Sequence, residues 1–130
     1  MQFSVKVTDY QKNLMLNICD IDLLGKNIIQ EELNMTISKS YYGEKIIDHE
    51  EAESLLKSAS IINMVGKETI SLSLKLGVGS ENGVKKIGGV PFLIVFKMWL
   101  HPRYFWFYVV LTMFSKIKKK SILSSKGQLT

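Results

Sequence analysis

The fold of this chain is decided by residues 3–19, FSVKVTDYQKNLMLNIC. Phe3, Val5 and Val7 alternate with polar residues, which is the two-residue period of a half-buried strand. The polar run 9–13 predicts a turn, and Leu14–Cys19 predicts the returning strand. The chain is therefore predicted to open with a β-hairpin.

Outward from this hairpin, loops alternate with short elements. Asp20–Lys26 contains two acids and a glycine, which predicts a loop or a single helical turn. Leu33, Met35 and Ile37 alternate again and predict a third strand, which residues 40–43 close with turn chemistry. After Gly88-Gly89, Val90–Phe96 predicts a buried strand that tolerates a proline at its start.

Asp48 begins the clearest helix signal. Asp48 and Glu51 have the spacing of a capping box, and an apolar stripe of helical period follows over residues 52–59. Residues 61–76 are ambiguous, because the alternation from Ile70 to Leu76 favours a strand while a helical stripe ends at Gly77, where a helix C-cap would lie.

The charge of the chain changes sharply near Phe96. Residues 1–96 contain ten lysines and twelve acids, hence a net charge of −2, whereas residues 97–130 carry seven basic residues and no acid. Nine of the thirteen aromatic residues lie between Phe92 and Phe114. This break predicts a domain over residues 1–97 and a separate aromatic, lysine-rich extension over residues 98–130.

Five strings of residues, in this order and at these intervals, resemble the archaeal proteins grouped as domain of unknown function 424. The strings are Cys19-Asp-Ile-Asp-Leu-Leu-Gly-Lys26, Tyr41-Tyr-Gly43, the acidic helix start at Asp48, Asn63-Met-Val-Gly66 and Ile87-Gly-Gly-Val-Pro91.

The resemblance covers roughly residues 3–97 and implies a small α+β domain in an archaeal cytosol. It also implies a helix over 61–76, which we adopt over the alternation there, and genes that often lie near translation-related ones. It implies no activity. Phe92 stands where many members carry histidine, and members usually end near Lys97.

Several polar residues are candidates for a site. Asp20, Asp22 and Lys26 share one loop, where the paired carboxylates could bind a divalent cation, act as acid and base, or belong to a solvated turn. Tyr42 could stack on a base or pack across a turn. Asn63, together with Gly66, marks either a ligand site or a close helix–helix contact.

The segment 83–91 is the best binding candidate. Lys85 and Lys86 bring positive charge next to Gly88 and Gly89, whose backbone can approach a ligand closely. We expect an anion such as a nucleic-acid phosphate there, and the alternative is a glycine-rich entry to a central strand.

The residues predict no metal site, no cofactor and, on balance, no enzymatic activity. The two histidines have no ligands at metal spacing, and no nucleophile–base pair or cofactor motif is present. A single cysteine, Cys19, and the lack of a signal-peptide pattern predict a cytoplasmic protein.

The extension leaves three hypotheses open. Lys97, His101 and Arg103 interrupt the apolar run from Val90 to Phe114, which disfavours a transmembrane helix. Residues 98–120 could anchor the protein at a membrane interface, its lysines could hold RNA phosphates, or a frameshift or lost stop codon near Lys97 could have appended it.

We therefore predict an α+β fold, with a small antiparallel or mixed sheet of about four strands and two helices on one face, followed by the extension. The predicted function is a non-enzymatic binding module, associated with translation, that contacts RNA or a ribonucleoprotein. The alternatives are a small enzyme using Asp20, Asp22 and Lys26, and a peripheral membrane protein. The sequence leaves the oligomeric state open.

Overall fold

Eight strands and three helices lie in the part of the chain that the structure, a computed structural model, describes: residues 1–10 and 13–97. The strands are β1 (Gln2–Tyr10), β2 (Asn13–Asp20), β3 (Asn27–Gln30), β4 (Leu33–Thr36), β5 (Lys45–Asp48), β6 (Ile61–Val65), β7 (Lys85–Ile87) and β8 (Val90–Phe96). The helices are α1 (Lys39–Tyr42), α2 (His49–Ser58) and α3 (Lys67–Lys75), and 3₁₀ turns lie at Ile21–Leu23 and Glu81–Gly83. The extension predicted over residues 98–130 lies outside the described residues.

Six of these strands form one sheet in the order β5-β1-β2-β6-β8-β7, and β3 and β4 form a separate hairpin. The predicted opening hairpin is confirmed, since Phe3 of β1 lies opposite Asp20 of β2. Neighbouring strands are antiparallel except for β2 and β6, which run parallel with Asn17 opposite Asn63. The α+β class and the mixed sheet are confirmed, but the sheet has six strands instead of about four.

A crossover through α2 encloses the opening hairpin. β5 pairs with β1, and β6 pairs with β2. The chain therefore leaves β5 at the edge of the sheet, passes over β1 and β2 through α2, and enters β6 at the centre. β5 and β6 run in the same direction, because β1 and β2 between them are antiparallel to each other.

Each face of the six-stranded sheet contributes to its own hydrophobic core. The first core combines strand residues such as Phe3, Leu16 and Met64 with Leu56 of α2 and Leu72 of α3. The second core combines the opposite strand face with residues of the β3–β4 hairpin and α1; its buried members are Met15, Cys19, Ile28, Met35, Ile37, Tyr42, Ile61, Val65 and Phe92. Because successive side chains of a strand point to opposite faces, the same strands contribute apolar residues to both cores.

The helix predicted over residues 61–76 is right only for its second part. Residues 61–65 form β6, which is buried at every position, and α3 begins at Lys67. The two elements meet at Gly66, whose φ of +108° a residue with a side chain rarely adopts. The alternation from Ile70 to Leu76 lies within and just after α3, whereas β6 is buried on both faces and shows no alternation.

Two further differences from the sequence-based expectation are local. The predicted third strand is present as β4, but its partner β3 was not predicted, because only Ile28 of its four residues is buried. Residues 40–43, predicted as a turn, include the last residues of the short helix α1, and Gly43 ends it.

Side chains cap α2 at both ends. The Asp48 carboxylate accepts a hydrogen bond of 2.9 Å from the backbone N–H of Glu51, as the capping pattern predicted. At the other end, the Lys97 ammonium donates to the carbonyl oxygens of Leu56 (2.6 Å) and Lys57 (3.1 Å). The Lys97 backbone N–H donates to the Ser60 carbonyl at 2.8 Å, and burial lowers the pKa of the Lys97 side chain.

Replacing Lys97 with methionine is expected to lower the free energy of unfolding by about 1–2 kcal/mol, because two carbonyls at the end of α2 lose a charged donor. Urea unfolding of the full chain measures the change. Lys57→Met, on the exposed side of the same helical turn, is the matched control and should change stability by less than about 0.5 kcal/mol. Equal stabilities of the two variants would contradict a capping role.

Candidate functional site

The best organised polar contact joins the end of β2 to the start of α3. Asp20, the last residue of β2, is buried, and its carboxylate accepts hydrogen bonds from the backbone N–H groups of Glu68 (3.1 Å) and Thr69 (2.7 Å). The Thr69 hydroxyl donates to the same carboxylate at 2.7 Å. First-turn N–H groups have no partner within their own helix, so Asp20 caps α3 from a distant strand.

Gly66 makes room for this contact. A Cβ atom at Gly66 would lie 2.3 Å from the Asp20 Cγ, a separation that no packed atoms tolerate. The Gly66 N–H also donates to the Pro91 carbonyl at 2.9 Å, which ties the start of β8 to the same point. Position 66 therefore requires glycine for two reasons: the Asp20 carboxylate fills the space that a Cβ atom would need, and the backbone φ is positive.

The Asp20 contact leaves little room for an anionic ligand at this end of the sheet. Parallel strand ends followed by a helix N-terminus commonly bind anions in α/β proteins. Here the negative charge comes from Asp20 itself. Asp22 and Lys26 are exposed, so the three loop residues do not share one buried site.

Asn63 and Tyr42, the other polar candidates, lie inside the protein. The Asn63 amide donates to Asn17 Oδ1 at 2.7 Å across the parallel pair of β2 and β6, while Asn63 Oδ1 has no hydrogen-bond partner among the described residues. Tyr42 is buried in the second core, and burial raises the pKa of its hydroxyl. Its ring is therefore placed for packing and not for stacking on a base, and Asn63 lies on a strand and not at a helix–helix contact.

Sequence reasoning missed Asn17 and Thr69, the partners of these groups. Asn17 carried a signal, since it is the one polar residue between Leu14 and Cys19, and a polar residue inside an apolar strand usually has a buried partner. Thr69 carried none that a local pattern could show, because its partner lies 49 residues away.

The turn at Gly88 and Gly89 makes a close backbone approach, but to β3 of the same chain. The Gly88 N–H donates to the Gln30 side chain at 2.7 Å, and a Cβ at Gly88 would lie 2.8 Å from the Ile29 carbonyl oxygen. Glu31 and Glu32 follow Gln30 directly. The Gly88 amide is therefore already used, and two acids follow its partner in the chain.

Lys85 and Lys86 are exposed on β7, the edge strand of the large sheet. Lys85 lies opposite Phe92 and Lys86 opposite Pro91. Because successive side chains of a strand point to opposite faces, the two ammonium groups flank the sheet edge and do not share one face.

Cys19 is buried at the end of β2, where its thiol is held in the neutral form. Burial, with smaller contributions from the charges of Asp20 and Asp22, raises the pKa of the Cys19 thiol to about 12. A thiol that stays protonated near neutral pH is a poor nucleophile and a poor metal ligand.

The described residues contain neither a group of metal-binding side chains nor a membrane-spanning helix. Within residues 1–10 and 13–97, no three His, Cys, Asp or Glu side chains are grouped so as to hold a metal ion. None of the helices in these ranges has the length and apolar character needed to cross a membrane.

Comparison with known proteins gives a family and a fold. Residues 8–98 match the model of a family described as "Protein of unknown function (DUF424)". The structure is similar to the crystal structure of an uncharacterized conserved protein from Methanopyrus kandleri, with a TM-score of 0.67 and 21% sequence identity over 78% of this chain and 96% of that one. Among curated proteins, none matches the chain.

Replacing Asp20 with alanine is expected to cost about 2–3 kcal/mol of unfolding free energy, because the cap is lost and the first-turn N–H groups of α3 stay buried without an acceptor. Gly66→Ala should cost at least as much, through the clash with the carboxylate and the strained φ. Urea unfolding measures both. Asp22→Ala, at an exposed position of the same loop, should stay within about 0.5 kcal/mol of the parent chain. An equally mild effect of Asp20→Ala would refute the capping role.

The Cys19 thiol is expected to react slowly with a disulfide reagent at pH 8 in the folded protein and promptly in denaturant, because its pKa lies far above this pH only while it is buried. Absorbance at the wavelength of the released thiolate follows the reaction. Equal rates in the two states would show that the thiol is accessible and ionisable in the native fold.

Proposed function

We propose that this chain, which belongs to the DUF424 family of unknown function, is a non-enzymatic binding module that contacts RNA or a ribonucleoprotein. The contact is the exposed β7 edge, through Lys85 and Lys86. The observation that carries this proposal is the separation of charge between the two edges of the six-stranded sheet.

The acidic edge lies at β5. β5 leads directly into α2, and the acids of this region are Glu44, Asp48, Glu50, Glu51 and Glu53. The one lysine of β5, Lys45, is partly neutralised by Glu51 at 2.6 Å. β7 forms the opposite edge and presents two lysines. A polyanion is therefore repelled more strongly from the β5 edge than from the β7 edge, where Lys85 and Lys86 offset the nearby acids Glu31 and Glu32.

The geometry of the β7 edge favours the phosphate backbone over the bases as the target. One lysine points to each face, so a chain of phosphates running along the edge would meet both ammonium groups. The Gly88 amide is engaged by Gln30, which removes the backbone donor that the sequence suggested. Contacts made by lysine alone give binding that depends on salt and hardly on sequence.

The absence of free catalytic groups at Asp20 supports a binding role over the enzyme hypothesis. The Asp20 carboxylate is engaged by three donors, and Asp22 and Lys26 are exposed without joining it. The membrane-anchor hypothesis concerns residues 98–120, which lie outside the described residues. The association with translation stays a prediction from the family resemblance.

Edge lysines also have a purely structural explanation. Charged side chains on a short edge strand prevent it from pairing with the strand of another molecule. Charge reversal separates the two explanations, because glutamate protects an edge as lysine does but repels phosphate.

Lys85→Glu combined with Lys86→Glu is expected to weaken binding of a fluorescent oligouridine by about ten-fold or more and to reduce the slope of log affinity against log salt by about 1.4, about 0.7 for each phosphate contact. Fluorescence anisotropy over a salt series measures both quantities. The double variant should have the same molecular mass in light scattering as the parent chain, because glutamate protects the edge as lysine does.

Lys67→Glu with Lys75→Glu, at two exposed positions of α3, is the matched control for net charge. If the control weakens RNA binding as much as the β7 variant does, net charge and not the β7 edge is responsible. RNA affinity that is absent from the parent chain, or that does not fall with added salt, would refute the proposed function.

A further inference from the structure

The β3–β4 hairpin, residues 27–36, is closed by hydrogen bonds of its own. Its two strands pair at four positions, and at the open end the Thr36 hydroxyl donates to Asn27 Oδ1. At the neck, the Gly25 N–H donates to the Ile37 carbonyl at 2.6 Å, and the Ile37 N–H donates to the Lys26 carbonyl at 2.9 Å. The hairpin can therefore move as one body without breaking these bonds.

Few polar contacts join the hairpin to the rest of the protein. Among residues 1–10 and 13–97, one hydrogen bond is found between the hairpin and a residue outside 21–37, the bond of 2.7 Å from the Gly88 N–H to the Gln30 side chain. Within the hairpin, Ile28 and Met35 are the large apolar side chains that are buried, and both belong to the second core. Apolar packing and one hydrogen bond thus hold the hairpin against the sheet.

The helices on the opposite face of the sheet are attached at more points. The Asp20 carboxylate accepts three hydrogen bonds from the first turn of α3. Lys97 donates two hydrogen bonds to the carbonyls at the end of α2. Of the elements that cover the sheet, the hairpin therefore has weaker polar attachment than α2 and α3.

The sheet face that the hairpin covers contains a buried polar pair. Asn17 and Asn63 lie on this face, because the residues two positions away from each of them belong to the second core: Met15, Cys19, Ile61 and Val65. Asn63 is fully buried, and its Oδ1 accepts no hydrogen bond from the described residues. Burying a carbonyl without a donor costs free energy that is recovered when water reaches it, so this atom favours uncovering the face.

We propose that the β3–β4 hairpin is a flap that opens as one unit and uncovers the Asn17–Asn63 pair, while the six-stranded sheet, α2 and α3 stay folded. Elements with few attachments open at a lower free energy than the whole domain does. The bond between Gln30 and Gly88 holds the flap closed. Opening of the flap does not require RNA, so it can be present or absent whether or not the β7 edge binds RNA.

Two matched thiol probes test the flap in the full chain, with Cys19→Ala as the background. Met35→Cys places a thiol on the inner side of the hairpin, and Met64→Cys places one in the first core; both positions are buried. The rate of reaction with a disulfide reagent is measured without denaturant and at low urea concentrations. The thiol of Met35→Cys should react at least about ten-fold faster, with a smaller dependence on urea, because flap opening exposes less surface than global unfolding does.

Gln30→Ala tests the hydrogen bond that holds the flap closed. It should speed the reaction of the Met35→Cys thiol by about three- to ten-fold, the effect of losing one hydrogen bond, and leave the Met64→Cys thiol unchanged. Glu32→Ala, at an exposed position of the same hairpin, is the control and should change neither rate by more than about two-fold.

Equal reaction rates with equal dependence on urea for the two probes would refute the flap, because the hairpin would then open only when the whole domain unfolds. Gln30→Ala acting equally on both probes, or on neither, would refute the role of its bond to Gly88. Far-UV circular dichroism establishes that each variant is folded. If a methionine variant does not fold, Ile28→Cys on the hairpin and Ile62→Cys in the first core provide the same comparison.

Discussion

The hydrogen bonds from the first turn of α3 to the Asp20 carboxylate fix how the sheet and its helices fit together. A carboxylate buried without donors would cost several kcal/mol, and here three donors and the positive end of a helix compensate it. The same point joins β2 to α3 directly and, through the Gly66 N–H and the Pro91 carbonyl, β6 to β8. The parallel pair β2–β6 adds a buried amide contact, Asn63 to Asn17, that a shift of register by one residue would break.

Most side chains that suggest chemistry in the sequence are engaged inside the fold. Asp20 holds α3, Asn63 and Tyr42 are buried, and the Gly88 amide binds Gln30. What remains for a partner is charge on the surface, and it is unevenly distributed: acids gather where β5 meets α2, while β7 presents Lys85 and Lys86. The proposed binding role rests on this distribution of charge, whereas a catalytic role would rest on converging groups in a site that excludes water.

The sequence predicted those elements whose signals are local. In the β1–β2 hairpin, a sequence pattern typical of a strand lies on each side of a polar turn. The residue that caps α2, Asp48, directly precedes that helix in the sequence. Residues 61–76 were misjudged because the break at Gly66 is explained by Asp20, 46 residues earlier in the chain, and not by its neighbours. The hydrogen-bond partners of the candidate residues could not be predicted for the same reason, since the partners of Asp20 and Gly88 are 48 and 58 residues away. Long-range pairing leaves no trace in a local pattern.

The crossover around the opening hairpin has a consequence for the order of assembly. β1 and β2 are close in sequence and close a short loop, whereas β6 must find β2 across a separation of 46 residues. Closing a long loop costs conformational entropy before any stabilising contact has formed, and this cost is smaller for the short loop of the hairpin. The hairpin is therefore expected to fold early, and β5 and β6 then pair with its two strands. α2 is then the tether that brings the second of these strands within reach once the first has docked.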